Sequence, residues 1–330
     1  MPLFTIATIT YNQEQWVRQA IESVLASSFT DFEYIIADDR STDKTWEIIQ
    51  EYKDPRIRAW RNDPNLGEYP NRNNVLENAK GEYILFVDGD DILYRYSLEE
   101  YARYINVYPE TCGVWGVHPF YLDFIVYPYL ISPGELSRLN FLSNVPISVI
   151  GLTESVFKVT SLRQIGGFDP QFGIADTHAK KKFGCFFPVV LTPVGKAFWR
   201  QSPNQASQRV RRNMRNLVET FLMDEEILAS GKLPLNEEEM RQAWKNFRNR
   251  RMKLVFSMTI LKLDIYNFFR LMKTLRIPFT DIVHLLKNAD YSYQSGADAA
   301  APLMTDFNFR RGKEVNSVTD TISVQEPKLK

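Results

Sequence analysis

The sequence predicts an α/β fold in which a mostly parallel, doubly wound sheet is flanked by helices and followed by an α-helical C-terminal extension. Two observations lead to this prediction. Over the first hundred residues, short apolar runs alternate with segments of helical period, and short loops join them, which is typical of a parallel sheet. After residue 209, long helical segments replace this alternation. The 330 residues suffice for one large α/β domain with an appendage.

The predicted strands are apolar runs, and the clearest of them comprises residues 83–87. Its five residues have β-branched and aromatic character and stand between Gly81 and Gly89, so they predict a buried strand. Ser41, Thr42 and Asp43 are N-cap candidates for the helix after the second strand. The other predicted strands are 3–9, 32–37 and, at an edge of the sheet, 56–61. The predicted helices of this part are 13–25, 45–52 and 71–79.

The rest of the chain divides into three regions. Residues 112–173 are rich in aromatics and interrupted by prolines, so short strands and loops are expected there. Helices are predicted over 209–230, 236–272 and 278–288. Little apolar periodicity remains after residue 296, which favours a disordered tail. The predicted organisation is a domain over 1–205, a helical extension over 206–290 and a disordered tail over 291–330.

An acidic tetrad, Asp88-Gly89-Asp90-Asp91, follows the strand at 83–87 directly. Open α/β sheets bind their ligands at the carboxyl ends of their strands. Three carboxylates within four residues repel one another, and a folded chain seldom keeps them together without a cation. Carboxylate oxygens suit Mg²⁺ or Mn²⁺, which proteins often share with a substrate phosphate. The tetrad therefore predicts a site for a divalent cation and a phosphorylated ligand.

Three further polar motifs follow predicted strands and can converge with the tetrad on one crevice. A carboxylate in such a crevice can accept from a base N–H or a ribose hydroxyl, and an arginine can neutralise a phosphate. The motifs are Thr10-Tyr11-Asn12, then Asp38-Asp39-Arg40-Ser41-Thr42-Asp43, then Asn65-Leu66-Gly67 with Asn71-Arg72-Asn73.

In this order, the motifs resemble the family 2 glycosyltransferases, which have the GT-A fold. The amino-terminal part of the resemblance lies in residues 10–12, 20–25 and 38–45, and the metal-site part in residues 71–73, 79–84 and 88–91. A later stretch, Gly166-Gly167-Phe168-Asp169, is similar to the family's Gly-Gly-Phe-Asp sequence. The resemblance covers roughly residues 3–180. Each motif alone is modest, but four in the right order are highly specific.

The resemblance implies an enzyme that transfers a sugar, with inversion, from a nucleotide-diphosphate donor, expected to be a UDP-sugar. The acceptor would be a hydroxyl of a glycan or a lipid-linked molecule in surface polysaccharide synthesis. Asp90 would coordinate Mn²⁺ or Mg²⁺ together with Asp88, and Asp176 is the candidate base. The nucleotide-binding residues carried over are Thr10, Tyr11, Asn12, Asp38, Asp39, Arg72 and Asp88. Trp199-Arg200 resembles a late motif near the donor diphosphate.

One departure from the family keeps alternatives open. Ala175 stands where the family usually has Glu before the base Asp176, and His178 competes for the role of base. An inactive member that binds a nucleotide or glycan is therefore one alternative. A phosphohydrolase using Asp88 is another, although that pattern needs Thr or Val at the fifth place, where Ile92 stands.

Composition limits the partners and the cellular compartment that can be expected. Lys+Arg 40 balances Asp+Glu 40, so net charge does not suggest nucleic acid as a partner. Two cysteines are too few for a disulfide framework, which favours a reducing, cytoplasmic setting. We expect no signal peptide, and no stretch reaches the ~18 apolar residues expected of a spanning helix.

The C-terminal helices are basic, and two interpretations of them stay open. Residues 209–277 contain 15 Lys and Arg against 8 Asp and Glu, an excess of seven. They could rest peripherally on the anionic inner face of a membrane, beside a lipid-linked acceptor. Alternatively, they pack on the catalytic domain and leave a basic face in solvent. The residues behind the first interpretation are Arg248, Arg250, Arg251 and Lys253, with Phe268, Phe269 and Leu271 later in the chain.

Overall fold

A computed structural model describes residues 1–117, 126–143, 151–201, 214–255, 265–275 and 277. An eight-stranded sheet in the order β3-β2-β1-β4-β8-β6-β9-β7 forms its centre, and β5 and β10 make a separate two-stranded ribbon. In the large sheet, β8 and β7 are antiparallel to the other six strands. The strands are β1 Phe4–Thr10, β2 Phe32–Asp38, β3 Ile57–Arg61, β4 Tyr83–Phe86, β5 Ile92–Leu93, β6 Gly113–Val117, β7 Tyr129–Ile131, β8 Ser155–Lys158, β9 Val189–Pro193 and β10 Ala197–Phe198.

Helices cover both faces of the sheet because its central strands are apolar on both sides; all seven residues of β1 are buried. One core cluster joins alternate residues of β1, β2 and β4 to α1, α2 and α4, and a second joins the opposite residues to α3, α6 and α7. The helices are α1 Val17–Leu25, α2 Thr45–Gln50, α3 Glu68–Asn78, α4 Ser97–Val107, α5 Pro133–Phe141, α6 Val159–Gln164, α7 Ala175–Phe186, α8 Met214–Ala229, α9 Glu237–Val255 and α10 Ile265–Thr274. The predicted doubly wound, mostly parallel sheet is confirmed.

The structure differs from the prediction in the start of α3 and in the presence of α5 and α6. The helix predicted over 71–79 already begins at Glu68, because Gly67 turns the chain with φ 87° and Pro70 lies in the first turn. In the region predicted as strands and loops, α5 and α6 form. Ser132 caps α5 by accepting from the backbone of Glu135, with Pro133 at the first helical position. Here a proline begins a helix.

The predicted helical extension is present as α8, α9 and α10. Residues Ile227 and Phe247 of α8 and α9 pack on Phe141 and Cys185 of α5 and α7, which joins the extension to the sheet domain. The predicted boundary at 205/206 and the predicted tail over 291–330 lie outside the described residues and stay predictions. Within the described segments, we find no helix whose length and hydropathy would suit a bilayer crossing.

The close approach of β4 to β1 depends on Gly81. A Cβ at this position would lie 2.4 Å from the backbone nitrogen of Thr5, and neither backbone can yield easily. Gly81→Ala should therefore lower the free energy of unfolding by about 1–3 kcal/mol. Gly151→Ala is the matched control, since no described atom lies within 4 Å of its added Cβ. Urea denaturation measures both, and equal stabilities would contradict this account of the packing.

Candidate active site at the carboxyl edge of the sheet

The ends of β1, β2 and β4 meet at one edge of the sheet. The backbone N–H of Asp39 donates to the carbonyl of Thr10 at 2.8 Å, and that of Gly89 donates to Ile9 at 3.2 Å. A Cβ on Gly89 would lie only 2.6 Å from Thr10 Oγ1, so the tetrad and the end of β1 touch. The first, second and fourth sequence motifs are therefore neighbours, as predicted.

A buried ion pair joins α3 to the tetrad. Arg72 is 2% exposed, and its Nη2 contacts both carboxylate oxygens of Asp88, at 2.8 and 2.9 Å. The same nitrogen lies 3.1 Å from Glu68, one helical turn earlier. Burial by itself lowers the pKa of Arg72, but the charges of Asp88 and Glu68 outweigh it and raise that pKa. The guanidinium therefore stays charged inside the protein.

Two side chains at this edge have buried polar atoms that no described hydrogen bond satisfies. Arg72 Nε and Nη1 are buried without a hydrogen-bond partner among the described residues, and so is Thr10 Oγ1. An unsatisfied buried polar group costs about 1–3 kcal/mol, and more when it is charged. A ligand rich in oxygen acceptors would remove this cost.

Asp90 and Asp91 of the tetrad have different surroundings. Asp91 accepts from Thr153 Oγ1 at 2.6 Å and from the backbone N–H of Arg200 at 3.1 Å, so it fixes local structure. Asp90 is buried beside Asp88; burial, followed by the charge of Asp88, raises the pKa of Asp90 to about 6. The protein thus holds a costly second negative charge next to Asp88.

A divalent cation fits this donor set. The described residues contain no cluster of three or more ligating His, Cys, Asp or Glu side chains, so they offer no complete cage. Mg²⁺ is usually held by one or two carboxylates, with water and substrate phosphate completing its coordination. Asp90 and Asp88 supply those two carboxylates, and a cation would offset their repulsion. Their role as metal ligands remains a prediction.

Asp39 holds the loop that leads into α3. Its carboxylate accepts from the backbone N–H groups of Leu66 and Gly67, both at 2.8 Å, and from Asn62 Nδ2 at 2.9 Å. A carboxylate has about four acceptor sites, so about one is left for a ligand such as a base N–H. This geometry allows the predicted contact of Asp39 with a nucleotide base, which stays a prediction.

The neighbouring predicted residues are mostly engaged in the framework. Asp38 is fully buried, accepts from the backbone N–H of Ser41 at 3.0 Å and lies 3.3 Å from Arg61 Nε. Asn12 has φ 55° and accepts from the backbone N–H of Thr42 at 2.8 Å. Tyr11 is half exposed. The nucleotide-binding roles predicted for Tyr11, Asn12 and Asp38 are therefore supported less well than that of Arg72.

Asp176 lies in the first turn of α7 and connects to α3. Tyr69 Oη is 3.3 Å from Asp176 Oδ1 and 3.3 Å from the carbonyl of Gly173, so one hydroxyl hydrogen serves both. Tyr69 stands three residues before Arg72 on α3, so this contact brings Asp176 to the helix that carries the Arg72–Asp88 pair. Asp176 thus faces the surroundings of the Arg72–Asp88 pair.

The extension holds the segment that carries Asp176. Glu219 of α8 accepts from the backbone N–H of Gly173 at 2.7 Å. Further along α7, Lys182 pairs with Glu226 at 2.8 Å. His178, the rival base, is buried, lies 3.1 Å from Glu226 and packs on the ring of Phe172, and burial lowers its pKa. These contacts favour a structural role for His178.

Sequence reasoning missed several residues of this site. Glu68 and Tyr69 stand four and three residues before Arg72, so helical spacing places all three on one face, a signal that was available. Arg200 donates from Nε to the carbonyl of Asp90 at 2.8 Å. The Trp199-Arg200 motif, whose resemblance to the family is weak, therefore lies beside the tetrad. Nothing in the sequence pointed to Glu154, whose buried carboxylate accepts from the backbone of residues 195–197.

Lys180 is a buried cation one turn beyond Asp176. Its Nζ donates to the carbonyl of Gly151 at 2.9 Å. Burial lowers the pKa of Lys180 from 10.5 to about 7, although the charges of Asp176 and Glu154 act in the opposite direction. Between these two values the unfolded chain binds a proton at Lys180 that the folded chain does not, so stability should increase as the pH rises from about 7 to about 10.

Lys180→Met should remove this dependence. The wild type minus variant difference in unfolding free energy should rise by up to about 1.4 kcal/mol per pH unit. Urea denaturation across that pH range measures the difference, and exposed Lys80→Met is the matched control. A constant difference would show that Lys180 keeps its proton in the folded chain.

Comparison with known proteins agrees with this architecture. Residues 5–166 match the family described as "Glycosyl transferase family 2". The UDP-Glc:alpha-D-GlcNAc-diphosphoundecaprenol beta-1,3-glucosyltransferase WfaP of Escherichia coli is 34% identical over 140 residues, covering 42% of this chain and 54% of the relative. The chain thus spans about half the length of this relative, and less of other curated relatives.

Solved structures share the fold. The crystal structure of Staphylococcus aureus TarS 1–349 in complex with UDP-GlcNAc superposes with a TM-score of 0.61 at 17% identity, covering 82% of this chain and 80% of that chain. The mannosyltransferase PcManGT from Pyrobaculum calidifontis, in complex with GDP-Man and Mn²⁺, gives a TM-score of 0.52 at 16% identity over 92% of this chain and 79% of that chain. Residues 5–166 of this chain are therefore a glycosyl transferase family 2 domain, and the chain has the GT-A fold.

Proposed function

We propose that this chain is a metal-dependent, inverting glycosyltransferase that moves a hexosyl or related sugar from a UDP-sugar to a hydroxyl of a glycan or lipid-linked acceptor in surface polysaccharide synthesis. One observation carries the proposal: α3 contacts Asp88 of the tetrad through Arg72 and Asp176 through Tyr69. The names of WfaP, which specify UDP-Glc and a diphosphoundecaprenol acceptor, and of the TarS complex with UDP-GlcNAc support the donor and acceptor classes.

The donor nucleotide would lie along the ends of β1, β2 and β4. The unsatisfied nitrogens of Arg72 and the hydroxyl of Thr10 suit phosphate or base oxygens. The remaining acceptor site of Asp39 suits the N–H of a uracil ring. Tyr11, Asn12 and Asp38 would shape the wall of this site through the loop contacts described above.

Asp90 and Asp88 would hold Mn²⁺ or Mg²⁺ with the donor diphosphate. When bound, such a cation acts as a Lewis acid that stabilises the negative charge developing on the departing diphosphate. The Mn²⁺ named in the PcManGT complex supports this assignment. Arg72 would add a second, fixed positive charge near the same phosphates, and burial keeps that charge effective.

Asp176 would act as the base. The acceptor oxygen forms a bond to the anomeric carbon while the bond from that carbon to the diphosphate oxygen breaks, and the nucleoside diphosphate leaves with the electron pair. The acceptor proton passes to the Asp176 carboxylate. Because attack comes from the face opposite the leaving group, the configuration inverts and no enzyme nucleophile is needed.

The structure weighs against both alternatives. Ala175, which replaces the family's usual Glu, is fully buried in the core of the sheet domain, whereas Asp176 keeps its partly exposed carboxylate next to Tyr69. The departure therefore leaves the proposed base in place, which disfavours an inactive member. For a phosphohydrolase, Ile92 stands where that pattern needs Thr or Val, and Arg72 holds Asp88 Oδ2 at 2.9 Å.

Metal and nucleotide should stabilise the protein together. We expect UDP with Mn²⁺ at about 100 times its Kd to raise the free energy of unfolding by about 2.7 kcal/mol. Asp90→Asn should abolish the Mn²⁺-dependent part because it removes a ligand, while the shift produced by UDP with EDTA remains. Thermal unfolding measures both.

The exposed Glu110→Gln variant is the control for this experiment, because it removes one carboxylate elsewhere on the surface. If no nucleoside diphosphate shifts the melting temperature, with or without Mn²⁺, the proposed donor site is wrong.

Asp176→Asn should lower kcat for sugar transfer about 10²- to 10⁴-fold, because the amide cannot take the acceptor proton. UDP binding should be unchanged. Tyr69→Phe should lower kcat about 10- to 100-fold at constant donor KM, since it removes one hydrogen bond to a charged group. A coupled assay of UDP release in the presence of acceptor measures both variants.

Tyr52→Phe provides the matched control, because it also removes a tyrosine hydroxyl that bonds to a carboxylate, that of the exposed Glu22 at 3.2 Å. If Asp176→Asn retained sugar transfer, the base would have to be another residue. An altered donor KM with normal kcat in Tyr69→Phe would place Tyr69 at the donor instead.

A further inference from the structure

One face of α10 is exposed and combines aromatic with cationic side chains. Tyr266 and Phe269 are 76% and 62% exposed, and Arg270 and Lys273 are also exposed. Their spacing of i, i+3, i+4 and i+7 puts all four on one side of the helix. We call these four residues the α10 face.

The opposite side of α10 is buried, which fixes the orientation of the helix. Leu271, Met272 and Leu275 pack on residues of α8 and α9 in a small apolar core. The carbonyl of Leu275 also accepts from Arg251 Nη1 at 2.9 Å. The exposure of the α10 face is therefore set by packing and does not require the helix to rotate.

The charged residues of α10 and of the C-terminal part of α9 are all cationic. Ile265–Thr274 contains no Asp or Glu, and neither do residues 240–255 of α9, which include six Lys and Arg. Three of those six, Lys245, Arg248 and Lys253, are exposed; Arg241 is exposed too, but it pairs with Glu238 of the same helix at 2.7 Å. Such a surface repels other cationic surfaces and attracts anionic ones.

The basic residues that the sequence analysis grouped together differ in their exposure. Arg250 donates to the carbonyl of Asn140 at 3.2 Å and so joins the extension to α5, whereas Arg251 is buried against Phe247 within the extension. Leu271 is buried as well. Of the residues that the sequence indicated, Arg248, Lys253 and Phe269 lie on the outward surface, where Tyr266, Arg270 and Lys273 join them.

We propose that the α10 face binds an anionic phospholipid bilayer at its surface. Aromatic rings at the level of the headgroups, flanked by Arg and Lys that contact lipid phosphates, are the pattern of helices that lie in a membrane interface. The large exposed surfaces of Tyr266 and Phe269 suit the interface between lipid headgroups and acyl chains, and the positive charge of Arg270 and Lys273 favours an anionic partner. None of the four residues belongs to the candidate active site, and vesicle binding is measured without sugar transfer.

Sedimentation with vesicles tests the proposal on the full chain. We expect binding to vesicles of phosphatidylcholine with phosphatidylglycerol, little binding to phosphatidylcholine alone, and weakening by salt. Arg270→Glu with Lys273→Glu should reduce the partition coefficient at least about tenfold. Tyr266→Ser with Phe269→Ser should reduce it by a similar factor, and should do so at high salt too, where charge contributes little.

Lys80→Glu with Arg103→Glu is the matched control, since it makes the same charge change at two exposed positions of the sheet domain. Far-UV circular dichroism and the melting temperature confirm that each variant folds, and Arg270→Gln with Lys273→Gln repeats the test with a milder change. Equal loss in the control pair would reduce the effect to net charge and overturn the proposal.

Three other outcomes would also overturn it. Absence of binding to the anionic vesicles would do so, as would unchanged binding in both α10 double variants. A shift from dimer to monomer in Tyr266→Ser with Phe269→Ser, measured by light scattering, would assign the face to a contact between two copies. Binding to duplex DNA but not to vesicles would assign it to nucleic acid.

Discussion

The buried ion pair between Arg72 and Asp88 is the interaction on which the candidate site depends. An arginine that is almost fully buried is tolerated only with carboxylates beside it, and removing one partner of such a pair typically costs about 3–5 kcal/mol. The pair links the middle of the sheet to α3, and α3 in turn carries Glu68 and Tyr69. Because one helix supplies all three side chains, a single docking position of α3 relates the tetrad to Asp176.

Several acids at this edge stabilise loops, and this distinguishes them from the proposed ligands. Asp38 and Asp91 are fully engaged with nearby hydroxyl, amide or guanidinium groups. Burial raises the pKa of all three acids, but Asp90 has no such side-chain partner among the described contacts. An acid that the fold leaves poorly compensated next to a second acid is the expected position for a cation, so burial and hydrogen bonding separate residues that the sequence presents as equivalent.

The sheet was predictable because apolar runs and short polar loops are local features, and strand ends that share an edge follow from parallel topology. The convergence of Arg72 with Asp88 followed from the same rule. The contact of Tyr69 with Asp176 was not predictable, because the two residues are 107 positions apart and meet only once α3 and α7 are packed. The start of α5 was a local signal, Ser132 with Glu135, that prolines nearby obscured.

The most direct test of the central claim is a crystal structure of the chain soaked with UDP and Mn²⁺, with the cation located by its anomalous scattering. The account predicts one Mn²⁺ within coordinating distance of Asp90 and Asp88, with the diphosphate between that cation and Arg72 and the uracil beside Asp39. A nucleotide bound elsewhere, or a cation bound away from the tetrad with the Arg72–Asp88 pair left closed, would contradict it.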